Sequence, residues 1–74
     1  MKLPTNLSGL EVIQVLTKYY GWGIHRRKGS HVTLKKTGSL EILTVPVHDR
    51  LDQGTLLSII RKAGIEKEDF ISKL

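Results

Sequence analysis

The chain contains no cysteine. That one absence excludes disulfide staples, thiolate metal sites and thiol nucleophiles together. No stretch approaches the ~20 apolar residues that a membrane span needs. The start, Met1-Lys2-Leu3-Pro4, carries one charge and no apolar run behind it, so it does not read as a signal peptide. A cytoplasmic protein with no membrane partner is expected. Metal-site spacing is also lacking, because the acids are scattered and His25, His31 and His48 do not sit at ligand intervals. Neither a metal nor a cofactor is expected.

A further absence is local. Between Ile24 and Lys36 there is no acid, while five Lys or Arg and two histidines fall there. Over the whole chain twelve Lys and Arg face seven Asp and Glu, a formal charge of +5. A basic run can be no more than a solvated face, but clustered in this way it is the electrostatic footprint expected for a polyanion. With 74 residues the chain is expected to form one domain, 1–74, around one thin core. A domain of that size buries only ~60% of its unfolded surface and gains by docking on a partner.

Ser8-Gly9-Leu10-Glu11 reads as a capping box, in which the Ser8 hydroxyl and the Glu11 carboxylate satisfy free helix N–H groups reciprocally. Leu10, Ile13, Leu16 and Tyr20 then recur at helical spacing, widened by Val12, Val15 and Tyr19. A first helix over Gly9 to Tyr20, stopped by Gly21, follows. Trp22 to Lys28 is expected as a strand, and Gly29-Ser30 as a type II′ hairpin turn whose first central residue needs φ > 0. The return strand His31 to Lys36 alternates, with Val32 and Leu34 on one face and His31, Thr33 and Lys35 on the other. After a turn at Thr37-Gly38-Ser39, Leu40 to Val45 makes a third strand, ended by Pro46. A polar loop leads to a second helix with Leu56, Ile59, Ile60 and Ala63 as its buried stripe and Gly64 as its stop. Either Asp52 or Thr55 serves as its N-cap. Glu66 to Leu74 forms a last short helix pinned by Phe70.

This is an α+β order, α-β-β-β-α with a short C-terminal helix. Both main helices must bury their stripes on one face of a three-stranded antiparallel sheet, leaving the other face open with His31, Thr33 and Lys35. Double-stranded RNA-binding domains share that arrangement, although a fold alone does not fix a function. The aromatics Tyr19, Tyr20 and Trp22 could stack bases, but beside a glycine turn they read as core.

Alone at the head of an exposed strand, His31 would be an ordinary polar residue. Its basic surroundings turn it into a candidate for chemistry. An imidazole exchanges protons near neutral pH, and RNA carries its own nucleophile, the 2′-hydroxyl. A base that deprotonates that hydroxyl starts attack on the adjacent phosphate, giving a 2′,3′-cyclic phosphate and a free 5′-hydroxyl. Lys28, Lys35 and either Arg26 or Arg27 are suited to bind the phosphate and offset its growing charge. Arg26, Arg27, Lys28, Ser30, Lys35 and Lys36 make up the candidate RNA-binding set. The departing 5′-oxygen wants an acid; His48 is the best candidate, with a lysine or solvent as alternatives.

Arg26-Arg27-Lys28-Gly29-Ser30-His31, then Val45-Pro46-Val47-His48, then Gly54-Thr55-Leu56 leading to Ile59-Ile60-Arg61 and Ala63-Gly64-Ile65, together resemble the HicA family of mRNA interferase toxins. The resemblance runs from the first helix through Ile65. It implies a double-stranded RNA-binding-like fold, metal-independent cleavage of mRNA, and a catalytic histidine in the Gly-Ser-His motif, here His31. It also implies a HicB-type antitoxin partner that covers the active site. Gly29 carries over as the turn glycine, and Gly54-Thr55-Leu56 as the structural start of the second helix. His48 stands at the family's Val-Pro-x-His position. Val32 departs from the pattern, since family members often carry an aromatic or histidine there. Two other readings compete: a non-catalytic double-stranded RNA-binding module, and an interaction subunit whose basic face docks an acidic partner.

Overall fold

A computed structural model describes residues 3–74; Met1 and Lys2, the first two positions of the expected domain, lie outside the described residues. The elements follow in the order α1 (Gly9–Tyr19), β1 (Gly23–Lys28), β2 (His31–Lys35), β3 (Ile42–Pro46), α2 (Gln53–Ala63) and α3 (Lys67–Ser72). The three strands form one antiparallel sheet in the order β1-β2-β3. This is the expected α+β architecture, with β2 in the middle.

The start of α1 is held by the capping box. Glu11 N–H donates to the Ser8 hydroxyl and Ser8 N–H to the Glu11 carboxylate, each at 3.1 Å. Its buried face is Gly9, Val12, Ile13, Val15 and Leu16. Leu10 and Tyr19, expected on that face, are exposed instead. At ~100° per residue Leu10 falls far round from a stripe running Gly9-Ile13-Leu16. Tyr19 lies at the last turn, where its ring meets the Lys18 and Lys73 ammonium groups at 5.3 and 5.8 Å. Tyr20 caps the helix rather than extending it and bonds through its hydroxyl to Asp69 of α3.

Trp22 precedes β1 rather than opening it, and packs into the core. On β2 the alternation is as expected: Val32 and Leu34 are buried, His31 and Lys35 exposed, Thr33 half-buried. The third strand begins at Ile42, not Leu40, whose side chain is wholly exposed, and it includes Pro46 as its last residue. Pro46 can hold that place because β3 is an edge strand, where a missing N–H donor is tolerated. Leu43 and Val45 join Val32 and Leu34 on the covered face, against which α1 and α2 pack.

Asp52 is the N-cap of α2, accepting from Thr55 N–H at 3.2 Å and from the Thr55 hydroxyl at 2.5 Å. Thr55 thus serves as the donor to the cap, not as the cap itself. The helix ends at Gly64. The last helix is shorter than Glu66 to Leu74, but Phe70 is fully buried as expected.

Candidate active site

The site grows from the β1–β2 turn. Gly29 has φ = 58°, and no described non-glycine residue has positive φ, so the left-handed backbone falls on the first central position only, as a II′ turn requires. The turn brings Lys28 and His31 opposite each other as the closing pair of the ladder. Such partners share a face, with Cβ atoms about 5 Å apart. On the other side of β2, His31 pairs with Pro46, and Val47 N–H donates to the Ser30 carbonyl at 2.5 Å. His31 therefore stands on the central strand with its backbone fixed from both neighbours.

Register decides which cations join it. Arg26 pairs with Thr33 and Arg27 with Val32. Arg26 and Lys28 consequently share the open face with His31 and Thr33, whereas Arg27 points to the face of Val32. Arg26, Lys28, Gly29, Ser30, His31 and Thr33 line one shallow concavity. Lys35 is on the same face but four residues along β2, about 13 Å from His31 at ~3.3 Å per residue. Lys36 lies past the strand end and lines another depression with Tyr20, Trp22 and Asp69. The structure does not bring Arg27 or Lys36 to His31.

Between Ile24, paired with Leu34, and Arg26, paired with Thr33, His25 is the extra residue of a β-bulge. The bulge shifts parity along β1, so Ile24 faces the covered side while Arg26 and Lys28 keep to the open one. The whole of β1 is exposed. Among the described residues the ion pairs are Glu41–Lys62 and Asp69–Lys73; neither neutralises Arg26, Lys28 or Lys35. Among the described residues, the strand positions of the open face carry Arg26, Lys28, His31 and Lys35 and no acid, a surface that concentrates an anionic ligand.

His48 is exposed on the segment that leaves β3. It does not line the concavity, and its backbone carbonyl accepts a 2.9 Å hydrogen bond from Gly9 N–H. Two residues near the site carry only a weak sequence signal. Thr33 is marked only by its parity with His31. Gly9 is marked only by being a poor helix former inside a first helical turn, the signature of a close backbone approach.

Among the described residues no group of three or more His, Asp or Glu side chains converges, and no helix is long and apolar enough to cross a membrane. Over residues 9–65 the chain matches the family described as HicA toxin of bacterial toxin-antitoxin. That span is well over half of the 74 residues, and the chain belongs to this family: it is a toxin of a toxin–antitoxin system and has an antitoxin as its counterpart. No curated protein matches it.

Proposed function

We propose that this HicA-family toxin is an endoribonuclease that cleaves mRNA, with His31 as the general base and the whole chain, 1–74, as one RNA-cleaving domain. What supports the reading is the position of His31 on the open face of the central strand, directly opposite Lys28 and between two tied neighbours. The His31 imidazole takes the proton from a ribose 2′-hydroxyl. The 2′-oxygen forms a bond to the adjacent phosphorus, and the bond from phosphorus to the 5′-oxygen breaks. The products are a 2′,3′-cyclic phosphate and a 5′-hydroxyl, whose proton comes from an acid; His48 is the residue proposed for that part. This route calls on no metal or cofactor.

The cations divide the remaining work. Lys28, beside His31, offsets charge that builds on the phosphate oxygens. Arg26 and Lys35 hold flanking phosphates, and Ser30 adds polar contacts at the turn. A HicB-type antitoxin neutralises the protein by covering this face, and acidic residues on it would suit the uncompensated positive surface. The reaction belongs in the cytoplasm, where mRNA is.

Induced expression tests the reading. The parent protein should arrest growth and deplete cellular mRNA, while a folded His31→Ala protein should do neither. If both proteins are harmless and the parent binds RNA without cutting it, the chain is a binding module instead.

A further inference from the structure

The most constrained backbone contact near the site is made by a residue with no side chain. Gly9 is the first residue of α1 and is buried. A Cβ built on it would lie 2.0 Å from the Pro46 carbonyl oxygen, 2.9 Å from the Pro46 carbonyl carbon and 3.0 Å from the Val47 Cα. All three are backbone atoms, so no side chain can swing aside to make room. The Gly9 N–H, free at a helix start, donates to the His48 carbonyl. Gly9 therefore touches Pro46, Val47 and His48 in succession.

That strap is the piece of chain that ties the site together. Pro46 pairs with His31, and Val47 N–H bonds to the Ser30 carbonyl. The helix start is itself anchored by the Ser8–Glu11 capping box, so Gly9 presses a fixed helix end against a segment laddered to the His31 turn. We infer that Gly9 is a positioning residue for the cleavage reaction, holding the Pro46–His48 strap so that His48 serves the phosphate that His31 serves. It touches no substrate and acts only through the strap. The inference rests on the ribonuclease reading and on the acid role of His48.

A methyl group at position 9 would have to displace the strap by about 1 Å, a misplacement that can cost on the order of 10²-fold in rate. The test is a double-mutant cycle on purified protein, with kcat and KM measured separately on a short RNA. Gly9→Ala should lower kcat by about 10²-fold with KM little changed. In a His48→Ala background the same change should cost distinctly less, because the misplaced acid is gone and only the strap's hold on the Ser30–His31 turn is left to disturb. Equal costs in both backgrounds, or an unchanged kcat in Gly9→Ala, overturn the inference while leaving ribonuclease activity intact. A parent protein that cuts no RNA takes down the functional reading and this inference with it. If circular dichroism shows that Gly9→Ala does not fold, Ser8→Ala replaces it in the cycle. That change removes the hydroxyl that caps the helix start, loosening the turn from which Gly9 holds the strap without adding bulk, and the same dependence on His48 is expected. Additive costs there would overturn the inference equally.

Discussion

Lys28 and His31 face each other across the Gly29-Ser30 turn as the closing cross-strand pair of the β1–β2 hairpin. Lys35, on the same face, is four residues away along β2. This difference in distance separates two roles that composition alone would merge. On the proposed cleavage, a cation beside the reacting phosphate acts on the transition state, and one farther off acts on binding.

Lys28→Ala should therefore lower kcat by about 10²-fold, as removal of one charge-stabilising donor does, with a small change in KM. Lys35→Ala should leave kcat near the parent value and weaken RNA binding, reducing the slope of log affinity against log salt by about one. Steady-state cleavage and binding across a salt series measure both. The same response from both variants would show that the register does not sort the cations.

Much of the candidate site's geometry is legible in the sequence. The period of two in His31-Val32-Thr33-Leu34-Lys35 assigns faces without ambiguity, because a one-residue slip would bury a charge. Gly29 announces its own φ. The first strand was not legible in the same way. Its six residues are all exposed, so no apolar alternation records its parity, and the bulge at His25 changes that parity partway along. Choosing between Arg26 and Arg27 needed the ladder. Leu40 misled because an apolar residue beside a strand reads as part of it, although it is wholly exposed. Gly9 left only a faint trace for the opposite reason: a glycine in a first helical turn signals a close backbone approach, but the segment that approaches lies almost forty positions away and leaves no hydrophobic pattern.

The core extends beyond the family-matched region. Phe70, in α3, is fully buried, while the match ends at residue 65. Phe70→Ala should cost about 3–5 kcal/mol. Against a total stability of about 5–15 kcal/mol for a domain of ordinary stability, that is enough to leave a large part of the protein unfolded at elevated temperature. Urea denaturation should give a lower midpoint with an unchanged slope. An unaltered midpoint would mean that α3 does not contribute to the cooperative core.

Tyr20 links α1 to α3 and makes stability depend on alkaline pH. Burial, the hydrogen bond to Asp69 and the Asp69 charge push its phenol up from 10.0 to about 12. The native state then holds this proton more tightly than the unfolded chain. The associated stability is complete below the unfolded value near 10 and is lost as pH rises through about 12. Tyr20→Phe should remove this dependence, so that its stability falls less steeply than the parent's over that window. Lysine titration is common to both proteins and cancels in the comparison. Parallel pH curves would contradict the assignment.

The central claim is that His31 deprotonates the 2′-hydroxyl, and the chemistry of the cut ends tests it most directly. Purified parent and His31→Ala proteins, both shown to be folded, are incubated with an end-labelled RNA and the new termini identified. The account predicts 2′,3′-cyclic phosphate and 5′-hydroxyl ends from the parent and no cleavage by His31→Ala. Ends bearing a 3′-hydroxyl and a 5′-phosphate, or the same cyclic products from His31→Ala at the parent's rate, would contradict it.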